Sequence, residues 1–322
     1  MAETRRIECD GVGLHVEIDG PDDAATVLFL HGVGSSGRTW EWLPDELTRG
    51  RRIVRVDLRG HGRSDHAPGT YLITRYGADV AAVLRSVASR PAVVVGNSLG
   101  GVIAWWLAQS HPDLVTAALL EDPPLLAGET PETEAGRFRD VFHAVRAVIL
   151  EGRERGLSEE ELAGHIATIR WGPPGTPALG ELLTEDGLRT MAFGYQRLDI
   201  GVIDGAIDGS TLAAAEIRTP VTLPVVVVAA DDAAGAAFST GDEERPRADP
   251  ADGRGGPRRG QRAPDPRHEG PPRGLHGPPA PVPGQVRPRG ARSRAVMQIT
   301  SSRAGWTGHC VSFAAGSAAH RP

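Results

Sequence analysis

The chain has 322 residues, enough for one large domain or a core carrying an insertion. Two cysteines, Cys9 and Cys310, cannot build a disulfide framework. The N-terminal MAETRRIECD has no apolar leader region, and no stretch approaches the ~18 apolar residues of a membrane span, so a soluble, cytoplasmic protein is expected. The net charge of −6 averages two unlike regions, because residues 1–245 hold 22 Arg and 37 acids whereas residues 246–322 hold 13 Arg and 4 acids. All 35 basic residues are Arg, a bias expected of a G+C-rich gene, since Lys codons are A-rich.

In chain order, Ala25 to Leu30 (ATVLFL) is an apolar run that stops at His31-Gly32, as a buried strand does. Thr39 to Thr48 reads as a short helix closed by Gly50. Arg52 to Asp57 alternates as a strand, then breaks into the glycine-punctuated turn Leu58 to Ser64. Tyr76 to Val87 has helical spacing, Pro91 to Val95 (PAVVV) is an all-apolar strand, and Val102 to Ala108 continues as a helix. Val115 to Leu120 and Leu223 to Ala229 (LPVVVVA) are further strands. Unbroken Val-rich strands separated by helices predict an α/β fold, a mostly parallel sheet covered on both faces. Between Asp122 and Thr219 the strand signals stop. Glu134 to Glu151, Ser158 to Ile169 and Leu182 to Tyr195 read as amphipathic helices, the second opened by a capping box of Ser158 and Glu161. The expected organisation is a core over 1–125, an inserted helical cap over 126–219, a core strand and acid loop over 220–245, and an Arg/Pro/Gly-rich tail over 246–322.

Gly96-Asn97-Ser98-Leu99-Gly100 matches G-x-S-x-G, a short pattern that carries weight only in context. Here it follows the PAVVV strand and opens a helix. The flanking glycines leave room for a sharp turn that lifts the serine clear of the sheet. The helix N-terminus places positive partial charge beside it.

With this motif in place the chain resembles the α/β-hydrolase family. His31-Gly32-Val33-Gly34 is similar to the family's oxyanion segment, and Asp57 to Ser64 (DLRGHGRS) to its D-x-R-G-x-G-x-S turn. The resemblance covers residues 5 to 240 and is weakest across the helices. It implies Ser98 as nucleophile and the backbone N–H groups of Val33 and Leu99 as oxyanion donors. It makes His31 and His61 structural. It places the acid after a late strand, at Asp231 or Asp232, with Asp122 as the alternative some members use. Trp105, Trp106, Phe138, Phe142 and His143 are read as core residues first and as lining of an acyl pocket second.

The resemblance also implies a histidine base after the last strand. From Pro246 to Ala295 there is one Leu, two Val and no Ile, Phe, Trp or Tyr, a composition expected to be disordered. His268 stands at a suitable distance along the chain, with no element to hold it against Ser98. The C-terminal strand and helix of the fold are therefore expected to be missing. A reading frame shifted near residue 245 is the predicted cause. Read one nucleotide later, the codons implied by Arg254 to Gln285 can encode a strand, a G-x-G-H loop and an amphipathic helix.

The expected function is hydrolysis of an ester or similar acyl bond of a small-molecule substrate, impaired by loss of the histidine. The alternatives are carbon–carbon bond hydrolysis of aromatic degradation, which Gly96-Asn97-Ser98-Leu99-Gly100-Gly101 also resembles, and a non-catalytic binding member. No metal-ligand spacing, dinucleotide fingerprint or P-loop is present, so no cofactor is expected. Neither nucleic acid nor membrane is expected as a partner. The sequence leaves the oligomeric state open.

Overall fold

The computed structural model describes residues 2–125, 132–170, 175, 177–215, 219–229, 237 and 297–301, with no side-chain detail for 132–138 and 297–301. The chain opens with two strands, β1 (Glu3–Cys9) and β2 (Val12–Asp19), paired antiparallel with Cys9 opposite Val12. Asp10 and Gly11 both have positive φ (53° and 76°). An Asp-Gly pair is suited to such a two-residue turn, whose twist matches that of the flanking strands. β1 alternates exposed Arg and Glu along the sheet edge, a pattern that discourages pairing with another chain.

β3 (Ala25–Leu30), β4 (Arg51–Val56), β5 (Ala92–Asn97), β6 (Val115–Glu121) and β7 (Val225–Ala229) follow. The sheet order is β1-β2-β4-β3-β5-β6-β7, continued by β8 (Met297–Ser301), and every pair from β4 to β8 is parallel. Both faces are covered, and β3 shows how. Leu28 and Leu30 enter the main core with Val94, Ile103 and Leu107, whereas Val27 and Phe29 pack on the other face with Trp40, Ile53 and Val95. This is the period-two alternation of a strand between two layers.

Thr39 to Thr48 is not one helix. A 3-10 turn over Gly37–Trp40 drops the Trp40 ring onto Phe29, 5.2 Å between centroids, and α1 (Asp45–Thr48) starts only after Pro44. The proline disfavours helical geometry at Leu43. α2 (Ile73–Val87) and α3 (Leu99–Ser110) pack against the sheet. Trp106 on α3 lies against Gly77 of α2 and edge-on to His111, so it serves the core. Trp105 and Phe142 are partly buried against the same core, and His143 is exposed. The Phe138 side chain lies outside the described residues.

Among the described residues five α-helices lie between β6 and β7: α4 (Glu132–Glu154), α5 (Glu159–Ala167), α6 (Leu179–Leu182), α7 (Glu185–Arg197) and α8 (Ile200–Ile207). The capping box of α5 forms as read: Ser158 accepts from the Glu161 amide, and Glu161 accepts from the Ser158 amide. Beyond β7 the sheet gains one more strand. Met297–Ser301 pairs in parallel with β7, Val227 opposite Ile299, because MQITS is a short strand-forming run after the Arg/Pro-rich stretch. The rest of the 246–322 tail, with His268, lies outside the described residues. Among the described residues no helix is long and apolar enough to cross a membrane.

Candidate active site

All the strand ends that matter face one way, because β3, β5, β6 and β7 run parallel. Open parallel sheets bind ligands in the crevice outside these carboxyl ends. Ser98 sits there, between β5 and α3, with φ 49° and ψ −114°. A non-glycine residue rarely occupies this region, and holding one there costs roughly 1–3 kcal/mol. The strain is held by backbone contacts. The Ser98 amide donates to the Glu121 carbonyl (2.8 Å), and the Ser98 carbonyl accepts from the amides of Gly101 and Val102 (2.9 and 3.1 Å). A Cβ on Gly96 would overlap the Gly100 carbonyl, and one on Gly100 would overlap the Leu30 carbonyl. Both glycines are therefore required by close approach, in agreement with the spacing of the motif.

The His31 to Gly34 segment lies beside the serine. A Cβ on Gly32 would stand 3.2 Å from the Ser98 Cβ and 2.8 Å from Asn97 Oδ1. His31 fixes this segment. Its Nε2 accepts from the Leu58 amide (3.0 Å), so Nδ1 carries the proton and donates to the Gly32 carbonyl (2.8 Å). Burial holds the His31 imidazole down to about 4. His61 packs edge-on against His31 at 4.9 Å, donates from Nδ1 to the Arg59 carbonyl, and is held down to about 3, chiefly by burial. Both rings are neutral, and the buried His61 Nε2 has no hydrogen-bond partner among the described residues. Asp57 completes the support by accepting from the amides of Gly37 (2.6 Å) and Arg63 (2.8 Å), which joins the loops after β3 and β4.

Among the described residues the amides of Val33 and Leu99 donate to no acceptor. Leu99 opens the 12-residue helix α3, whose first N–H groups have no partner within the helix. Ser98 is partly exposed. Ser98, the segment holding Val33 and the N-terminus of α3 thus lie at one end of the sheet, a setting whose amides could serve a carbonyl that becomes an oxyanion.

Asp122 is the first residue past β6, with φ 45°. Its amide donates to the Val228 carbonyl (2.8 Å), and its Oδ1 accepts from the Ala237 amide (2.8 Å). Asp231 and Asp232 lie just past β7, outside the described residues. Among the described residues no histidine is hydrogen-bonded to Ser98. His15 pairs with Glu17, His66 with the Arg197 carbonyl and His165 with Glu151.

Two features escape sequence reading. Glu121 stands opposite Asn97 in the β5–β6 register and bonds its side chain; burial pushes the carboxyl up, Asp122 adds to this, and the Asn97 bond opposes it. Glu121 precedes Asp122 in the sequence, but only strand register brings it to Asn97. The second is α7. A Cβ on Gly194 would overlap the Gly34 carbonyl, and a Cβ on Gly34 would stand 2.8 Å from the Tyr195 ring. The helix therefore leans directly on the segment that offers the Val33 amide.

Comparison with known proteins agrees with this geometry. The sequence profile described as alpha/beta hydrolase fold matches residues 25–232, and the chain belongs to that family. It is 35% identical over 174 residues to the lipase LipV of Mycobacterium tuberculosis, covering 54% of this chain and 62% of that protein. It is 33% identical over 167 residues to epoxide hydrolase A of the same organism, covering 51% of each. The chain thus spans about half to three-fifths of the length of these relatives. Among solved structures, E-2-(acetamidomethylene)succinate hydrolase superposes with a TM-score of 0.54 at 25% identity, covering 76% of this chain and 85% of that one.

Proposed function

We propose that the chain is built as a serine hydrolase for an ester or similar acyl bond of a small molecule, with α4 to α8 as the cap over the site. The backbone of Ser98 supports this most directly: it is strained, and the nearby Val33 and Leu99 amides have no acceptor among the described residues. The Ser98 oxygen attacks the carbonyl carbon and passes its proton to a base. The carbonyl oxygen becomes an oxyanion between the Val33 and Leu99 amides, and the leaving group departs with a proton. Water then cleaves the acyl-serine ester. Losing one such amide donor costs about 3 kcal/mol of transition-state stabilisation. The acid partner is Asp231 or Asp232 after β7, or Asp122 after β6.

The described histidines do not supply the base, and His268 lies outside the described residues. Loss of a triad base costs on the order of 10⁶ in turnover, so this polypeptide is expected to turn over slowly. The nucleotide sequence around codon 245 tests the cause, since a shifted frame without a histidine and helix refutes the frameshift. Release of p-nitrophenol in a burst from a p-nitrophenyl ester, absent in Ser98→Ala, tests the nucleophile. A rapid burst from the unaltered chain contradicts the impairment.

Carbon–carbon bond hydrolysis is the second reading, since the Gly96 to Gly101 segment also resembles such hydrolases. Epoxide opening fits less well, because attack by a serine oxygen leaves an ether, whereas a carboxylate leaves an ester that water can cleave. A non-catalytic binding role remains distinct, and covalent labelling of Ser98 by a fluorophosphonate separates it from both hydrolytic readings.

A further inference from the structure

Phe193 on α7 is buried beneath three guanidinium groups. The Cζ atoms of Arg197, Arg38 and Arg63 lie 3.9, 4.5 and 5.4 Å from its ring centre. The arginines come from separate elements: Arg38 from the turn after the His-Gly segment, Arg63 from the loop after β4, and Arg197 from the last turn of α7. An aromatic ring attracts a cation over either face but does not cancel the repulsion among three.

Among the described residues the nearby carboxylates are shared between cations or distant. Glu159 serves both Arg38 (3.4 Å) and Arg197 (4.0 Å), beyond the ~2.7–2.9 Å of a good charge-assisted bond. Arg197 otherwise donates to the Phe193 carbonyl at 3.3 Å. Arg63 reaches Glu17 at 3.0 Å, but Glu17 also faces Arg55 and His15. Among the described residues, then, Arg38 and Arg197 share one carboxylate, and neither guanidinium has an acceptor closer than 3.3 Å. All three side chains keep solvent access (26, 47 and 40% for Arg38, Arg63 and Arg197).

We propose that the Arg38, Arg63 and Arg197 cluster over Phe193 is an anion-binding site for a phosphate-sized oxyanion, free or as the end group of a phosphomonoester. The forked donors of arginine match such an ion, and its charge offsets the excess of cations. Because α7 leans on Gly34 through Gly194, an ion here ties the helical segment to the two loops that frame the oxyanion amides. This binding does not depend on the hydrolase reading.

The test uses the full chain titrated with inorganic phosphate at constant ionic strength set by sodium chloride, followed by calorimetry and by the thermal midpoint. Saturable binding is expected, weakened at least about tenfold in Arg38→Gln and in Arg197→Gln. Glu159→Gln removes the competing carboxylate and is expected to tighten binding several-fold. That variant keeps the ring and all three arginines, so it decides the matter even where an arginine variant fails to fold. No response beyond that of chloride overturns the proposal, as does binding that Glu159→Gln leaves unchanged or weakens. Glycerol 3-phosphate separates the sources: tighter binding than phosphate marks a monoester site, and equal or weaker binding marks the free ion.

Discussion

Ser98 and Asp122 hold equivalent places on neighbouring strands. Each is the first residue beyond its strand, each has positive φ (49° and 45°), and each donates its amide to the next strand, to the carbonyls of Glu121 and Val228. The sheet thus turns two polar side chains out of its carboxyl edge through the same backbone device, at two adjacent positions.

The strain at Ser98 is measurable. Ser98→Gly relieves a conformation that suits glycine, while Ser98→Ala keeps it. Urea denaturation is expected to find the glycine variant about 1 kcal/mol more stable than the alanine variant, with both refractory to fluorophosphonate labelling. Equal stabilities contradict the strained bend.

The contact between α7 and the Gly34 segment has a similar signature. Gly194→Ala places a methyl group against the Gly34 carbonyl, and a loss of about 1–3 kcal/mol is expected. Gly164→Ala on α5 meets nothing within 4 Å, so helix propensity alone acts there and a gain of up to about 1 kcal/mol is expected. Denaturant midpoints that move in the same direction in both variants contradict this packing.

Acid sensitivity follows from the two buried imidazoles. Unfolded, each has the ordinary value of 6.5; folded, His31 is held down to about 4 and His61 to about 3 by burial. The unfolded chain therefore binds more protons below 6.5, and stability is lost as the pH falls through that range, by on the order of 3 kcal/mol for His31 and 5 kcal/mol for His61 at the limit. Glu17, lowered from 4.5 to about 2 chiefly by its bond to His15, adds its own loss only below 4.5. Urea midpoints between pH 6.5 and 4.5 are expected to decline, and less steeply in the His31→Gln, His61→Gln double variant. An unchanged slope in that variant assigns the decline elsewhere.

Arg59 and Asp79 form a buried fork, with two bonds of 2.6 Å, and Arg59 adds Thr70 at 2.7 Å. Asp79→Ala leaves the guanidinium without its partner and is expected to cost about 3–5 kcal/mol. Replacing both residues with Met and Leu is expected to cost less than this single change. A single variant within about 0.5 kcal/mol of the parent, by denaturation, contradicts the role given to the pair.

Much of the core was legible because its strands are unbroken Val-rich runs and Ser98 stands in a motif whose glycines have a steric reason. The hairpin of β1 and β2 was passed over although Asp10-Gly11 announces it, because the charged β1 mutes the apolar signal. The Thr39 to Thr48 helix failed at Pro44, and Trp40 was drawn into the sheet face instead. Asn97 and Glu121 are 24 positions apart in the chain, and only the register of two parallel strands makes them partners. The three arginines on Phe193 are likewise assembled by tertiary contact, with no periodicity to betray them.

Gly100 rests on the Leu30 carbonyl, so the start of α3 and the end of β3 move as one block. Neither tolerates even a methyl group at the junction. For anyone wishing to redirect this scaffold toward new chemistry, diversity therefore belongs in α4 to α8 away from Gly194 and Tyr195, where side chains can vary while the bend at Ser98 stays intact.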